Sequence, residues 1–289
     1  MKILFVSQHF DYLSGAPVYV YELAKTLKSR GHEVSIMSKC GGDLASKAKQ
    51  HGIQLYDLAN PPREKFDVMH LNQPETTKFA LEQYPGVPAV ATIHSEYHYE
   101  TPIIDSRIGF YVAIRPSIKH KLIDEYGIPD GKVRMILNPV DGTRFHVARM
   151  PRTWEKKRVL FVGTIDFLRK QTIQDLINRS QEEDFELKII GKKFDTYLDR
   201  NLPENVSWQP AKWNIESEVK TCDETAGVLM GRTTIEGWAC GKPGWIYNID
   251  LNGNILSRKL TKVPEPEVME HFKSSHVAKE MENLYHALI

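Results

Sequence analysis

The chain has 289 residues, of which 41% are hydrophobic and 26% are charged, so it can bury one or two protein cores. Two domains of ordinary size are the more natural interpretation of this length. The formal net charge of +1 gives no electrostatic basis for binding nucleic acid, and we therefore expect no nucleic-acid partner.

Three cysteines, Cys40, Cys222 and Cys240, are spread along the chain without a Cys-x-x-Cys pair. Free thiols are typical of a reducing compartment, so we expect a cytoplasmic protein. The apolar start MKILFV is shorter than the core of a signal peptide, and no apolar run reaches the roughly 18 residues of a membrane-spanning helix. The sequence therefore predicts neither export nor a membrane span.

Strand and helix patterns alternate from the first residues onward. A short aliphatic run at 2–7 predicts a strand, and Pro17 opens a helical pattern that ends at Gly31, before a second strand at 33–38. The same patterns predict further strands at 54–58, 66–71, 87–93, 110–114 and 133–137, and helices at 74–84 and 117–126. Continuous apolar runs of this kind are typical of buried parallel strands.

The alternation stops between Asn138 and Lys157, where prolines, glycine and charges follow one another without periodicity. It then resumes, with strands at 158–165, 186–191, 206–210, 227–231 and 244–249 and helices at 172–181, near 214–222 and from 234. The last segment, 267–289, has the apolar spacing of a helix or a broken helix pair. We predict an N-terminal domain at 1–148 and a C-terminal domain at 149–289, whose last helix can pack back on the first domain.

Both halves have the alternation of a doubly wound α/β domain. The predicted fold class is therefore α/β, with two Rossmann-like domains that face a central cleft. Ligands of such folds bind at the carboxyl ends of the strands, so we expect the ligand site in that cleft.

The stretch GRTTIEGWACGKPGWIY, at 231–247, combines a glycine turn with the start of a predicted helix. Gly231 allows the turn, Thr233 can cap the helix, and the free N–H groups of its first turn suit a phosphate. Glu236 is expected in the same first turn, where its carboxylate can accept hydrogen bonds from a vicinal diol such as a ribose. The alternative is structural, because Thr233 and Glu236 also have the spacing of a capping box.

Two other glycine turns have similar surroundings. Gly15, in SGAP, precedes the first helix, and Gly163 begins a turn that ends in the adjacent cations Arg169 and Lys170. Either cation could neutralise a pyrophosphate leaving group. Taken alone, such glycines also serve strand-to-helix geometry, and an Arg-Lys pair is also typical of a solvated surface.

His94 and His98 follow a predicted buried strand in TIHSEYHYE, at 92–100. They could share a helix face and bind zinc, but no third ligand is placed and no His-Glu-x-x-His motif is present, so we predict no metal site. At a strand end, His94 is better placed to hydrogen-bond a substrate hydroxyl, or it is a structural histidine with satisfied hydrogen bonds.

Three common catalytic motifs are missing from the sequence. There is no Gly-x-Ser-x-Gly of serine hydrolases and no Gly-x4-Gly-Lys phosphate loop of ATPases. The first turn, SQHFDYLSGAP, also lacks the Gly-x-Gly-x-x-Gly of dinucleotide oxidoreductases.

In their order along the chain, the motifs resemble those of the retaining glycosyltransferases of the type-B fold, specifically the large family four of nucleotide-sugar-dependent transferases. The similar blocks are KILFVS with SGAPVYVYELAKTLKSRGHEVSIMS, VPAVATIHSE, VRMILNPVDGTRF, RVLFVGTIDFLRK, ELKIIG and TTIEGWACGKP. They cover nearly the whole chain. The short GRTTIE form resembles a compact subgroup of these transferases.

The resemblance implies a role for each matching residue. Glu236 would hold the ribose of the donor, and Arg169 or Lys170 would bind its diphosphate. Gly15 would face the phosphates, and His94 would lie near the transferred sugar. The expected catalytic set is His94, Arg169 and Lys170; the expected donor-binding set is Gly15, Gly163, Gly231, Arg232, Thr233, Thr234 and Glu236.

Two positions depart from the family pattern. Val228 stands where the family has a second glutamate, eight residues before Glu236, and Thr164 stands where it has an arginine after the glycine of VGTI. Arg232, in the turn itself, is the residue that could compensate for the missing cation.

The expected function is transfer of a sugar from a nucleoside-diphosphate sugar to a hydroxyl of a glycan, a lipid-linked acceptor or a small molecule. The resemblance implies retention at the anomeric carbon, and electrostatic catalysis of this kind requires no metal or other cofactor. The alternatives are a nucleotide-sugar epimerase or hydrolase, and a catalytically silent nucleotide-sugar-binding subunit.

A basic face is the last candidate feature. Cations of two predicted helices could provide peripheral contact with the inner face of a membrane, or could simply be solvated. They are Lys25, Lys28, Arg30, Arg115, Lys119 and Lys121.

Overall fold

The computed structural model describes residues 1–148, 153–199 and 201–289. Its internal contacts divide the chain into two units. Unit 1 comprises Met1–Pro139 and Glu270–Ile289, and unit 2 comprises Val140–Met269.

Unit 1 is built on a seven-stranded sheet in the order β3-β2-β1-β4-β5-β6-β7. All of its strand pairs are parallel. The strands are β1 Lys2–Phe10, β2 Glu33–Cys40, β3 Gln54–Tyr56, β4 Val68–Leu71, β5 Ala89–Ile93, β6 Ile108–Ala113 and β7 Val133–Met135. Every residue of β4 and β5 is buried, because helices cover both faces of a parallel sheet.

Helices connect these strands. They are α1 Gly15–Ser29, α2 Gly42–Gln50, α3 Pro74–Gln83 and α4 Pro116–Asp124, with short 3-10 turns at His98–Glu100 and Asp130–Lys132. The strand order reverses at β1, which pairs with β2 on one side and with β4 on the other. The carboxyl ends at such a switch point are the usual ligand-binding edge of an α/β sheet.

Unit 2 contains, within its described residues, a six-stranded sheet in the order β10-β9-β8-β11-β12-β13. The strands are β8 Arg158–Val162, β9 Glu186–Ile190, β10 Val206–Gln209, β11 Glu224–Val228, β12 Gly244–Ile249 and β13 Ile255–Thr261, of which β13 is antiparallel to β12. The helices are α5 Lys170–Glu182, α6 Glu216–Thr221 and α7 Arg232–Ala239, with a 3-10 turn at Phe167–Arg169. Here the switch point lies at β8, between β9 and β11.

The division between the units lies between residues 139 and 140, whereas the sequence predicted it between residues 148 and 149. Residues 149–152, directly after the predicted boundary, lie outside the described part of the chain. Local packing explains the difference. The Arg144 guanidinium stacks on the Trp213 ring at 3.8 Å and pairs with Glu216, and Phe145 is buried. This segment therefore packs with unit 2.

The C-terminal segment forms two helices, α8 Pro266–Glu270 and α9 Ser274–His286. Helix α9 belongs to unit 1, where Glu282 binds Arg30 through two hydrogen bonds of 2.6 Å and Tyr285 is fully buried.

Two elements were not predicted from the sequence. Helix α2 is short and largely polar and buries only Leu44, Ala45 and Ala48. Strand β13 has no buried residue, so its sequence ILSRKLT lacks the alternation that marks a strand with one covered face.

Candidate functional site

The turn from β11 into α7 is tightly built. Leu229 has a φ of +55°, which is uncommon for a residue with a branched side chain, and its N–H donates to the Tyr247 carbonyl at 2.8 Å. A Cβ on Gly231 would lie 3.3 Å from the Val228 carbonyl oxygen. The chain therefore enters α7 along a constrained path, and the first N–H groups of the helix have no partner within the helix itself.

The capping box proposed for this helix does not form. Gly231, in extended conformation, is the cap residue, so Glu236 lies in the second turn of α7 and not in the first. The Thr233 hydroxyl does not cap the helix either, because it donates to the Val162 carbonyl at 2.8 Å. That bond ties the start of α7 to the end of β8.

Glu236 pairs with Arg232 one turn earlier. The Arg232 Nη2 atom donates to Glu236 Oε1 at 3.0 Å, and the two side chains are 11% and 5% exposed. A cation at the first position of a helix is disfavoured by the helix dipole, and burial adds to its cost. The placement of Arg232 is therefore better suited to binding an anion than to stabilising the helix.

Thr234 is completely buried. A Cβ on Gly244 would lie 3.0 Å from the Thr234 methyl carbon. A Cβ on Gly227 would lie 3.3 Å from the Thr234 hydroxyl oxygen. The side chain thus packs against β11 and β12, and what Thr234 can offer a ligand is its main-chain N–H in the first turn.

The second glycine turn follows β8. A Cβ on Gly191 would lie 1.8 Å from the Gly163 carbonyl oxygen, so the chain ends of β8 and β9 approach each other closely. The Gly163 N–H donates to the Ile190 carbonyl at 3.0 Å. Only glycine permits this contact, which fixes the path of the turn.

Arg169 and Lys170 have different surroundings. The Arg169 Nε atom lies 3.5 Å from the point where a Cβ on Gly163 would stand, so the guanidinium lies over the glycine turn. The exposed Lys170 ammonium instead lies over the Tyr197 ring, 5.8 Å from its centroid. The structure thus brings Arg169, and not Lys170, to Gly163.

Asp166 belongs to the same turn as Arg169, although the sequence analysis did not single it out. Its carboxylate accepts hydrogen bonds from Arg169 Nη1 and from the Thr164 hydroxyl, both at 2.6 Å, and from the Arg169 main-chain N–H at 3.1 Å. The acid therefore orients Arg169 and offsets part of its charge. The signal was available as Asp166-x-x-Arg169, the spacing of a side-chain cap and its helix.

In unit 1, His94 follows β5 and is partly buried. Its Nε2 atom lies 3.0 Å from Asn72 Oδ1, and its ring packs edge-on against the Tyr19 ring at 4.9 Å. Burial, and then the nearby Arg115 charge, lower the pKa of His94 to about 3. His94 is therefore neutral at physiological pH.

Behind His94 lies a buried chain of hydrogen bonds that the sequence did not reveal. His70 stacks on Phe5 at 4.8 Å; its Nε2 atom lies 2.8 Å from the Thr92 hydroxyl and its Nδ1 atom 2.5 Å from the Tyr285 hydroxyl. Burial lowers the pKa of His70 to about 3. These hydrogen bonds connect Thr92 in β5 with Tyr285 in α9. They extend to Tyr19, whose hydroxyl lies 3.2 Å from that of Thr92.

Gly15 is the first residue of α1 and is exposed. A Cβ there would meet nothing within 4 Å, so packing alone does not require a glycine at this position.

Most cations of the predicted basic face are paired. Arg30 binds Glu282, the buried Arg115 binds Glu96, Lys119 lies 2.9 Å from Asp130, and Lys121 donates to the Glu96 carbonyl. In residues 1–148, 153–199 and 201–289, no helix is long and apolar enough to span a bilayer, and no three His, Cys, Asp or Glu side chains are grouped to hold a metal ion.

Residues 13–144 match the profile of Glycosyltransferase Family 4. No curated protein matches the chain significantly in sequence. Solved structures do match over its whole length. The Anabaena protein HepE, crystallised with UDP and glucose, is 14% identical with a TM-score of 0.76, over 99% of this chain and 100% of that one.

Two further solved structures are similar. Sucrose-phosphate synthase from Thermosynechococcus elongatus is 14% identical with a TM-score of 0.70, over 99% of this chain and 98% of that one. The lipopolysaccharide outer core galactosyltransferase WaaB is 13% identical with a TM-score of 0.64, over 100% of each chain.

The chain has the fold of the GT-B glycosyltransferases. The predicted α/β class with two Rossmann-like domains is thereby confirmed. Within unit 2, the fold brings Gly163, Arg169 and the first turn of α7 to the carboxyl ends of the neighbouring strands β8 and β11. Within unit 1, it brings His94 and Asn72 to the corresponding edge of β5 and β4.

Proposed function

We propose that this protein is a glycosyltransferase that moves a sugar from a nucleoside-diphosphate sugar to an acceptor hydroxyl. The observation that carries the proposal is the buried Arg232–Glu236 pair at the start of α7, which the Thr233–Val162 hydrogen bond ties to the end of β8. The family profile over residues 13–144 and the UDP and glucose bound by HepE support it.

Unit 2 supplies groups suited to the donor. Glu236 Oε1 is held by Arg232, and Oε2 has no hydrogen bond in the described residues, so it is the atom we assign to a ribose hydroxyl. Such a charge-assisted bond is worth about 1.5–3 kcal/mol. The diphosphate would accept bonds from the first N–H groups of α7 and from Arg232 and Arg169.

Catalysis would then be electrostatic. As the bond between the sugar and the diphosphate breaks, negative charge develops on the leaving phosphate oxygen. Helix N–H groups and the two arginines would stabilise it in place, without a metal or another cofactor. We further propose retention at the anomeric carbon, in a reaction on one face of the sugar that needs no protein nucleophile.

Unit 1 would serve the acceptor and the transferred sugar. His94 is neutral and lies at a strand end, where it can form a hydrogen bond with a hydroxyl group but not an ion pair with a phosphate. Glycans, lipid-linked sugars and small molecules all offer such hydroxyl groups. Peripheral membrane contact and a cytoplasmic location stay predictions from the sequence.

The departures from the family pattern favour a second candidate, a subunit that binds a nucleotide sugar without transferring it. The Thr164 hydroxyl is already bonded to Asp166, and Val228 has no polar group to offer the sugar. Such a protein would show the same donor affinity and no product.

The donor site can be tested by thermal unfolding with UDP, GDP, ADP, CMP and NAD. A ligand at 100 times its dissociation constant adds about 2.7 kcal/mol to the free energy of unfolding. We expect one nucleoside diphosphate to stabilise the natural protein, and to stabilise Glu236→Gln much less, because the amide loses the anionic contact. Glu267→Gln, at an exposed position of α8, is the control that should respond like the natural protein. If no nucleotide stabilises the natural protein, the assignment of a donor site to unit 2 is wrong.

A further inference from the structure

Asn72 has only one reasonable orientation of its side-chain amide. Its Nδ2 atom lies 3.0 Å from the Val6 carbonyl and 3.3 Å from the His70 carbonyl, and the residue is 2% exposed. The flipped amide would place Oδ1 against two carbonyl oxygens that have no proton to donate. Nδ2 therefore donates to both carbonyls, and Oδ1 faces His94.

This orientation fixes the proton on the His94 ring. The Nε2 atom of His94 lies 3.0 Å from Asn72 Oδ1, and an amide oxygen can only accept a hydrogen bond. Nε2 must then carry the hydrogen. Because the ring is neutral, Nδ1 carries the lone pair.

The Tyr19 ring also holds the His94 ring in place, because it packs edge-on against it with an interplanar angle of 80°. In the described part of the chain, the ring makes one side-chain hydrogen bond, the one to Asn72, and Nδ1 makes none. Nδ1 is thus the atom that His94 has left for a ligand.

We propose that Asn72 is a positioning residue that holds His94 in its Nε2–H form, so that Nδ1 accepts a hydrogen bond from a substrate hydroxyl. The role toward substrate rests on the proposed sugar transfer, whereas the protonated nitrogen can be determined without it. In this form Nδ1 has no hydrogen to donate to a phosphate or carboxylate oxygen. His94 therefore suits a group that can donate a hydrogen bond, such as a sugar hydroxyl.

The protonated nitrogen is measured directly by ¹⁵N NMR of the natural protein at pH 7, with the His94→Gln spectrum identifying the His94 signals. We expect the hydrogen on Nε2. In Asn72→Ala we expect part of the population to shift to Nδ1–H, which a purely structural role of Asn72 would not cause. Asn60→Ala, at an exposed position, is the matched control and should leave the His94 signals unchanged. A natural protein with the hydrogen on Nδ1, or an unchanged His94 signal in Asn72→Ala, overturns the proposal.

Two replacements of His94 separate its nitrogens in function. In His94→Asn the side-chain oxygen can occupy the position of Nδ1, and in His94→Gln the amide NH₂ can occupy that of Nε2. We expect kcat/KM for sugar transfer to be up to about tenfold higher in His94→Asn, since one hydrogen bond is worth roughly 0.5–1.5 kcal/mol. Equal rates, or a faster His94→Gln, contradict the proposal.

Matched controls at the exposed His120 test for effects of the substitutions themselves. His120→Asn and His120→Gln should transfer sugar at the natural rate. If the natural protein transfers no sugar, the proposed function fails, and the NMR measurement alone decides which nitrogen of His94 is protonated.

Discussion

Arg232 donates a hydrogen bond to Glu236 across one turn of α7, at 3.0 Å, and both side chains are almost fully buried. Either charge alone would destabilise the fold, because a buried charge without its partner loses its hydration and no opposite charge compensates for the loss. Each buried charge therefore depends on the other, and the pair presents a cation and a carboxylate at the start of one helix.

Arg232→Met should lower the free energy of unfolding by about 3–5 kcal/mol, the typical cost of removing one partner of a buried ion pair. Glu236→Gln should cost less, because the glutamine oxygen can still accept a hydrogen bond from Arg232. Urea unfolding of both variants measures the difference. If Arg232→Met is as stable as the natural protein, the buried Glu236 carboxylate does not depend on Arg232.

Gly191→Ala should disrupt the turn after β8. The new methyl group would lie 1.8 Å from the Gly163 carbonyl oxygen, which is main chain and cannot move alone. We expect the free energy of unfolding to fall by about 1–3 kcal/mol and nucleotide binding to weaken. The control is Gly131→Ala, where a Cβ meets nothing within 4 Å and the loss should be small. Equal stability of the two variants would refute the close approach of the chains.

Tyr285→Phe removes the hydroxyl that lies 2.5 Å from His70 Nδ1. A buried polar atom left without its partner costs about 1–3 kcal/mol, so we expect a loss of that size in urea unfolding. Tyr99→Phe, at a side chain that is 64% exposed, should change stability little. A Tyr285→Phe protein as stable as Tyr99→Phe would show that the hydrogen bond between His70 and Tyr285 contributes nothing to the free energy of unfolding.

Glu100 should make stability fall as pH rises. Burial raises the pKa of this carboxyl from 4.5 to about 8, so the folded protein holds the proton more tightly than the unfolded chain. Between those two pKa values the native state binds more protons, and stability is therefore lost as pH rises through about 8, by at most about 1.4 kcal/mol per pH unit.

The variant Glu100→Gln isolates this effect, because it cannot ionise. The difference in free energy of unfolding between the variant and the natural protein, measured from pH 5 to pH 8, should move steadily in favour of the variant. A difference that does not change with pH would mean that Glu100 ionises as it does in the unfolded chain.

The sequence predicted most strands of both units, because parallel strands buried on both faces are continuous apolar runs. It placed β11 three residues too late, at 227–231 instead of Glu224–Val228. It missed β13 and α2 for the opposite reason, since neither buries a full apolar face. At α7 it placed Glu236 one turn too early. The Thr233-x-x-Glu236 spacing is compatible with a capping box, but the tertiary contact of Thr233 with Val162 takes the hydroxyl away from the helix.

Candidate site residues could be proposed from the sequence only where a glycine turn is followed by a charged residue. Gly163, Arg169 and Glu236 were expected from glycine turns followed by charged residues. Asp166 was not singled out, although its spacing to Arg169 is that of a helix cap. Asn72 was not expected either, because its contact with His94 cannot be inferred from spacing along the chain. The Asn72–His94 contact joins residues 22 positions apart that directly follow the adjacent strands β4 and β5, and the pairing of these strands brings them together.

Sugar transfer is tested by incubating the natural protein with UDP-, GDP- and ADP-sugars, with and without a mixture of glycan and small-molecule acceptors, and analysing the products by mass spectrometry. We expect release of one nucleoside diphosphate that depends on the acceptor, and a glycoside whose anomeric configuration, read by NMR, matches that of the donor. Release of free sugar without an acceptor, or binding of a nucleotide sugar with no product from any combination, would contradict sugar transfer as the function.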